Sequence, residues 1–382
     1  MNLFIQIYIY LCIALLIFDL VFLAVKNFKN YELYPRNTKY EEEIRREIAL
    51  KRETGEFSVS FSENLKRMLS KTKNLITLQT ELEKDPEAAD WFRTAMYDLI
   101  DVYREKNNYE QAYYIYIIST FDYTDCPIPP AFAERFIKFL DSSSLYTFSN
   151  TMNAIYRFGQ VNLLLTAIEK TDERGKFYHK KLLTDGILSS HVDQNALTKE
   201  LIARFDRYSP HMQYCLLDVF RMGQGDASEL CLKLMNDRDL DDEVRYSAMR
   251  YFVKHPHNSA RSFFLETLRA ENIGWIEQML AVKALSNYSD AEVYEIIKNK
   301  VTSYHWHVRK NAVEYLHNHN ITREELTDIL RTQDKYAGEA LLYQYRDDHE
   351  MTLFIIRTIQ EITAQSQEPA DSISAVEEEV TV

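Results

Sequence analysis

Residues 241–252 read DDEVRYSAMRYF, and residues 305–316 read HWHVRKNAVEYL. Each of the two stretches contains Val-Arg, then Ala, then an apolar residue one helical turn later. Residues spaced at i, i+4 and i+8 lie on one face of an α-helix. The recurrence therefore indicates a chain of helices built from repeated units.

The repeat has a period of about 32 residues, half the separation of those two stretches, and a second set of helices is predicted between its members. One helix pair cannot bury its apolar stripe alone, so such pairs stack on their neighbours. The intervening helices are predicted at 227–236, 260–269, 291–300 and 323–332. The recurring triplets are Phe148, Met152 and Tyr156; Lys180, Thr184 and Leu188, a degenerate unit; Met212, Leu216 and Phe220; Val244, Ala248 and Phe252; Ile276, Leu280 and Ala284; and Val308, Ala312 and Leu316.

This pattern resembles the HEAT repeats. The resemblance is carried by Asp241 and Asp242 before Val244-Arg245, and by Val308-Arg309 with Ala312. It implies a right-handed α-solenoid in which an acidic residue between two helices and a basic residue early in the second form a ladder. Glu277 and Gln213 occupy the same column as the arginines and depart from that pattern.

The predicted fold class is all-α. The chain has only 8 Gly and 8 Pro in 382 residues, which disfavours a fold with many tight turns. We assign residues 147–362 to HEAT-like repeats. Residues 57–146 form the helical N-terminal part of the solenoid, and 99–118 resembles half a tetratricopeptide unit; the alternative is an irregular helix pair that caps the stack. Residues 26–56 read as a charged juxtamembrane linker, and 363–382 as a disordered acidic tail.

The N-terminal residues 1–25 are predicted to be a transmembrane anchor. Residues 3–25 form an apolar run with one formal charge, at Asp19. At about 1.5 Å per residue, this run would cross a bilayer core of roughly 30 Å. A cleaved signal peptide is the alternative, but no basic residue precedes the run, and residues 22–24 (Phe-Leu-Ala) make a poor cleavage site.

The flanks of the run predict its orientation. No Lys or Arg precedes it, whereas Lys26, Lys29, Arg36 and Lys39 follow it. Because positive residues stay on the cytoplasmic side, the N-terminus is expected outside and the bulk of the chain in the cytoplasm, at the cytoplasmic membrane. The cysteines, which form no C-x-x-C pair, fit a reducing compartment.

Asp19 is an ionisable residue within the predicted anchor. It either leans toward the cytoplasmic headgroups or takes a proton, or it pairs with a polar residue of a partner helix. Intramembrane ionisable groups are often functional. We therefore take Asp19 as a candidate for intramembrane pairing.

The charge and the motifs exclude several classes of function. A formal charge of −13 opposes nucleic acid as a partner, because phosphate binding needs a basic face. No phosphate-loop, zinc-protease or nucleophile-elbow motif is present. We therefore predict no catalytic residues, no cofactor and no metal, and no small-molecule ligand is evident.

Two patterns suggest a metal site at first sight. Residues 237–241 resemble the opening of a calcium loop, but Asp242 stands where Gly is needed and Ala248 where the closing Glu is needed. We read Asp241 as part of a link and helix N-cap. His305 and His317 lie about 18 Å apart on one helix, too far to share a metal. The histidines are therefore expected to be surface or capping residues.

The HEAT resemblance implies that the second helix of each pair lines the inner face. Aromatic and arginine side chains there would be favoured binding anchors. The candidate partner-binding residues at outward positions are Tyr214, Asp218, Tyr246, Arg250, Gln278, Lys310 and Glu314, with Val282 in one of the same columns.

Three functional hypotheses follow. The first is a non-enzymatic scaffold or adaptor at the membrane that binds a protein partner; bacterial proteins with an N-terminal anchor and HEAT-like repeats suggest a membrane enzyme, such as a polysaccharide-synthesising glycosyltransferase. The alternative is an enzyme on a HEAT-like scaffold with an unidentified pocket. A third is a tether whose C-terminal residues 379–382 enter a carboxylate-binding groove.

Overall fold

The computed structural model describes residues 8, 10–23, 38–123, 127–175 and 179–367. Within these residues the protein has 22 α-helices, a few short 3₁₀ turns and no strand. The prediction of an all-α fold is confirmed. The chain divides into two compact units, unit 1 (Met1–Lys176 with Ser189–Asp193) and unit 2 (Phe177–Leu188 with Gln194–Val382).

Unit 1 contains ten of the helices. Residues 10–23 form α1. The others are α2 (Thr38–Thr54), α3 (Val59–Leu69), α4 (Thr72–Leu82), α5 (Ala89–Tyr97), α6 (Ile100–Arg104), α7 (Asn108–Thr120), α8 (Pro130–Phe136), α9 (Leu145–Arg157) and α10 (Val161–Glu173).

Helices two or three apart in the chain pack against each other in unit 1. Helix α2 packs on α4, α4 on α7, and α7 on α9, while α6 packs on α8. Aromatic side chains fill the interior: Tyr103 and Tyr114 stack with ring centroids 4.6 Å apart, and Phe136 packs edge-on to Phe158 at 5.0 Å. Residues 38–54, within the predicted charged linker, thus form a helix that packs on α4.

Unit 2 contains the remaining twelve helices. They are α11 (Lys180–Leu188), α12 (Gln194–Ala203), α13 (Pro210–Met222), α14 (Ser228–Asn236), α15 (Asp242–Lys254), α16 (Asn258–Arg269), α17 (Trp275–Leu285), α18 (Ala291–Lys298), α19 (Trp306–Asn318), α20 (Arg323–Arg331), α21 (Lys335–Gln344) and α22 (His349–Gln367).

The odd-numbered helices of unit 2 form one continuous row. Each of α11, α13, α15, α17, α19 and α21 packs on the next in that series. The even-numbered helices pack on their odd-numbered neighbours: α14 on α15, α16 on α17, and α18 on α19. The residues of the repeated triplets lie on the packed sides of the odd-numbered helices. In α13, α15, α17 and α19 every triplet residue is buried except Ile276, which is half-buried.

Local caps set where the helices begin. The Asp241 carboxylate accepts a hydrogen bond of 2.9 Å from the backbone N–H of Glu243 at the start of α15, so the N-cap prediction is confirmed. At α20 the Thr322 side chain accepts from the Glu325 N–H, while the Glu325 side chain accepts from the Thr322 N–H. Both arrangements provide hydrogen-bond acceptors for backbone N–H groups at the helix start, which have no partner within the helix.

A buried ion pair joins α15 to α17. The Arg245 guanidinium contacts the Glu277 carboxylate, and both side chains are buried. Arg245 also bonds Asp242 at 2.8 Å, and Arg238 reaches the same Glu277 oxygen at 2.7 Å. Glu277, which departs from the expected ladder, is thus the acidic partner of the arginine one repeat earlier.

The other members of this column bind loop carbonyls instead. Arg309 Nη1 donates to the carbonyl oxygens of Ser303 and Tyr304 at 2.6 and 2.7 Å. Gln213 Nε2 donates to the carbonyl of Phe205 at 3.2 Å. Each side chain ties the first turn of its helix to the loop before it.

The two ends of the chain are described in part. No helix within the described residues is both long and apolar enough to cross a membrane. Of the predicted span 3–25, residues 3–7, 9, 24 and 25 lie outside the described part, and the apolar side chains of α1 are exposed. Of the predicted tail 363–382, residues 363–367 belong to α22 and the rest lies outside the described part.

We expect the Arg245–Glu277 pair to control the stability of unit 2. Glu277→Ala removes the buried partner of the Arg245 guanidinium and leaves it only the exposed Asp242, which should cost about 3 kcal/mol in the free energy of unfolding. Urea unfolding is followed by the fluorescence of Trp275 and Trp306 in a Trp91→Phe background. The control is Arg238→Ala, which removes a half-exposed partner of the same carboxylate and should cost about 1 kcal/mol or less. Equal losses for the two variants would contradict this assignment.

Candidate partner-binding surfaces

The predicted binding residues of α13 are already engaged within unit 2. The Lys180 ammonium lies 4.2 Å from the centroid of the Tyr214 ring and 3.8 Å from the Asp218 carboxylate. Asp218 also pairs with Arg221 at 2.6 Å. The structure therefore brings Tyr214 and Asp218 together around Lys180, and both are half-buried.

The predicted residues of α15 and α17 likewise make local contacts. Arg250 pairs with Glu243 at 3.5 Å, and the Arg245 guanidinium lies 5.7 Å from the Tyr246 ring centroid. Gln278 Nε2 donates to the Ile273 carbonyl at 2.9 Å. These side chains are thus held by residues of their own repeat.

The outward placement of Val282 is wrong, because this side chain is fully buried. Its helix α17 packs against α15, α16 and α19. Neighbouring helices on three sides leave few outward positions on α17. The helical period identifies which residues share a face, but the number of packing neighbours decides how much of the helix remains open.

Lys310 and Glu314 line an open groove on α19. This groove has a volume of about 520 Å³ and includes the α21 end and the loop that follows. Its other side chains include Tyr343, Arg346 and Asp348. A hydrogen bond with Tyr343 raises the pKa of Arg346, whose guanidinium lines the same groove.

An exposed aromatic surface adjoins this groove, formed by the start of α17, the start of α19 with the loop before it, and both ends of α21. We define the aromatic surface as Trp275, Tyr304, His305, Trp306, His307, Tyr336 and Tyr343. Tyr304 is 83% exposed. Trp275 is 37% exposed, although most later residues of its helix α17 are buried. Apolar and aromatic surface gathered in one place is typical of a binding site, whereas single exposed aromatics are ordinary.

The rings of the aromatic surface hold one another in place. Trp275 stacks on His305 and on His307, with centroids 5.6 and 5.7 Å apart. Trp306 meets Tyr343 edge-on at 5.3 Å. The surface is therefore formed before any partner arrives.

Cationic side chains support these rings. The Arg309 guanidinium lies 4.9 Å from the Tyr336 ring centroid, and Arg346 lies 4.6 Å from that of Tyr343. The Lys310 ammonium is 5.9 Å from the Tyr343 centroid. These cation–π contacts orient rings that remain accessible on their other faces.

The sequence carried a signal for this surface that spacing alone did not reveal. Trp275 and Trp306 begin α17 and α19, and Tyr336 is the second residue of α21. An aromatic residue thus occupies the first turn of three successive odd-numbered helices. His305 and His307 were expected at the surface, and each is exposed and stacked on Trp275.

Metal-ligating side chains do not cluster in the described part of the chain. It contains no group of three or more His, Cys, Asp or Glu side chains placed to hold a metal ion. Cys215 and Cys231 are buried, while Cys12 is exposed on α1. Cys126 lies outside the described residues.

Comparison with known proteins identifies no relative by sequence. No family model matches the chain, and no curated protein matches it. Among solved structures, one similar chain is an engineered protein from the Northeast Structural Genomics Consortium, with 13% identity over 70% of this chain and 96% of that one. The TM-score is 0.20, too low for the likeness to inform fold or function.

We expect the exposed part of the aromatic surface to contribute little to folding. Tyr304→Ala should change the free energy of unfolding by less than about 0.5 kcal/mol, because the ring is almost wholly in solvent. Trp306→Ala removes the edge-on contact with Tyr343 and should cost about 1 kcal/mol or more. Urea unfolding followed by circular dichroism measures both variants. A large loss for Tyr304→Ala would mean that this ring has a structural role.

Proposed function

We propose that this protein is a membrane-anchored cytoplasmic scaffold that binds a protein partner through unit 2. The observation that carries the proposal is the preformed aromatic surface, with the adjoining groove that contains Lys310 and Glu314. Trp, Tyr and Arg are the residue types that dominate the energetics of protein interfaces. The mutual stacking of these rings lowers the entropy that binding must remove.

The HEAT resemblance belongs to this proposal. Stacked helix pairs that repeat at a regular interval present long surfaces made of many successive helices. The row from α11 to α21 supports such an arrangement for unit 2. A surface of this kind is suited to a folded protein partner, because its contacts are spread over several helices.

We infer that residues 3–25 anchor the chain in the cytoplasmic membrane, with the N-terminus outside. The exposed apolar side chains of α1 support this inference, because they leave a large apolar area without cover from the described residues. Lipid tails or a partner helix would cover it. Asp19 lies on this exposed helix, where it could pair with a polar group of a partner helix.

The anchor and the surface together favour a partner that is itself in the membrane. A chain tethered beside such a partner meets it at a high effective concentration, so a modest interface is sufficient. We therefore propose a membrane enzyme as the partner, with a polysaccharide-synthesising glycosyltransferase as the class suggested by the resemblance to anchored HEAT-repeat proteins.

Membrane extraction tests the anchor. The full-length chain should stay in the membrane pellet after washing at alkaline pH, because an apolar span of this length is removed only by detergent. A chain that lacks residues 1–25 should move to the supernatant. Release of the full-length chain by the alkaline wash would contradict the anchor, whether or not unit 2 binds a partner.

Site-specific crosslinking tests the partner surface. A photoreactive benzoylphenylalanine replaces Tyr304 in the full-length chain, and the crosslinked protein is identified after irradiation of native cells. We expect one membrane enzyme to be captured, and Trp275→Ala to reduce its yield severalfold. The matched control carries the same photoreactive residue at Lys233, an exposed position on α14.

The crosslinking experiment also separates the role of the anchor. If Asp19→Leu lowers the yield at position 304, the anchor helix contributes to docking. Equal capture from positions 304 and 233, or capture that survives Trp275→Ala unchanged, would show that the aromatic surface is not the interface.

A further inference from the structure

Unit 1 carries a second exposed aromatic face, on helix α7. Its sequence places Tyr109, Tyr113 and Tyr116 at i, i+4 and i+7, so that they share one side of the helix. The opposite side carries Tyr114, Ile115 and other side chains that are buried in the core. Tyr109 is 56% exposed, and Tyr116, two turns further along the helix, is 43% exposed.

These tyrosines line a groove between α7 and α9. The groove has a volume of about 410 Å³, and Tyr146 and Asn150 of α9 form its other wall. Tyr146 is 78% exposed, so its ring stands at the rim. The groove therefore offers aromatic rings from two helices to a ligand that lies between them.

Hydrogen bonds below the rings hold the groove open in a fixed shape. Asn150 Nδ2 donates to the Ala112 carbonyl at 2.9 Å, and Thr147 Oγ1 donates to the Asn108 carbonyl at 3.2 Å. The Tyr113 hydroxyl donates to Gln79 of α4. Burial raises the pKa of Tyr113, so this hydroxyl stays protonated and keeps its bond.

An acidic groove continues from the tyrosine groove. Tyr116 lines both, and the second has a volume of about 510 Å³. Glu83, Glu87, Asp90 and Asp122 lie along it. Among the described residues, Arg93 pairs with Asp90, and Arg52 lies 3.9 Å from Glu87. The described lining of this groove contains these four carboxylates and no Lys or Arg side chain, so this end of the surface favours a cationic ligand.

We propose that these two grooves bind an extended, proline-containing segment of a partner protein, with prolines between the tyrosines and lysine or arginine side chains against the acidic groove. Proline-rich segments in the polyproline II conformation dock into grooves lined by aromatic rings. Tyr109 and Tyr116 lie about 10 Å apart along α7, the length of about three extended residues. The charge of the second groove sets the direction in which the segment lies.

This surface is separate from the aromatic surface of unit 2 and has different chemistry. Cations support the rings in unit 2, whereas carboxylates border the rings in unit 1. The proposal therefore goes beyond the scaffold function argued for unit 2 and can fail or succeed independently of it.

Peptide display tests the proposal. The full-length chain in detergent is presented to a phage library of short random peptides, with counter-selection against the double variant Tyr116→Ala/Tyr146→Ala. The enriched peptides should combine proline with lysine or arginine. A synthetic copy of the most enriched peptide should bind with an affinity that falls as the salt concentration rises.

Point variants, one of them a double variant, then locate the site with the same synthetic peptide. Tyr146→Ala should weaken binding about tenfold, as expected for an interface anchor. Glu83→Gln with Glu87→Gln should weaken it about threefold or more and reduce its salt dependence. Tyr304→Ala in unit 2 is the matched control and should leave binding unchanged. Tyr146 is so exposed that its loss cannot unfold the unit, and a thermal melt by circular dichroism verifies this.

Several results would overturn the proposal. One is enrichment of acidic peptides, or of basic peptides that contain no proline. Another is binding that persists at full strength in Tyr146→Ala. A third is that counter-selection removes every enriched peptide, because the peptides would then bind without Tyr116 and Tyr146 and the tyrosine groove would have no ligand of the proposed chemistry.

Discussion

The structure of unit 2 depends on one constraint: each helix has an apolar stripe that its own partner cannot cover. The stripe of α15, with Val244, Ala248 and Phe252, is buried because α13 and α17 pack on either side of it. The next helix in the row also has an apolar stripe that its neighbours must cover. Successive odd-numbered helices therefore start a nearly constant number of residues apart. The intervening even-numbered helix and its connections must bring the chain back to the row each time.

This regular packing also explains where the exposed rings lie. Since the odd-numbered helices pack side by side, their first turns come close together, and side chains there meet across helices. The stacking of Trp275 on His307 is a contact of this kind, and Trp306 also meets Tyr343 in the last turn of α21. A partner of unit 2 would therefore meet a surface assembled from three helices and not a single loop.

The buried polar residues at one position of the repeat, among them Glu277 and Arg309, connect the interior of unit 2 to the aromatic surface. Arg309 is buried in the first turn of α19 and binds the carbonyls of Ser303 and Tyr304. These bonds fix the backbone of the loop that displays Tyr304 and His305. At the equivalent place in α17, Glu277 binds Arg245 of the preceding repeat instead. The column thus keeps a polar contact in each repeat while its chemistry changes from one repeat to the next.

The two candidate surfaces illustrate how one type of scaffold can select different ligands. In unit 1 Tyr116 lines a groove with Glu83 and Glu87, whereas in unit 2 the Tyr343 ring lies beside Lys310 and Arg346. Aromatic rings supply contact area in both cases, and the neighbouring charges decide which partner is favoured. A chain with two such surfaces could hold two different proteins, which is consistent with a scaffold.

The sequence by itself determined the helices and which of their residues face inward, because both follow from local periodicity and capping. It predicted the helix pattern from 227 to 332 closely, the burial of Val308 and Ala312, and the N-cap at Asp241. Only the tertiary structure decided what covers the remaining faces. It paired Glu277 with Arg245, buried Val282, placed Lys180 over Tyr214, and brought the first turns of three helices into one aromatic surface. The reason is that periodicity identifies the residues that share a helix face, whereas exposure and pairing depend on the neighbours that each helix meets, and those neighbours lie a full repeat or more away in the chain.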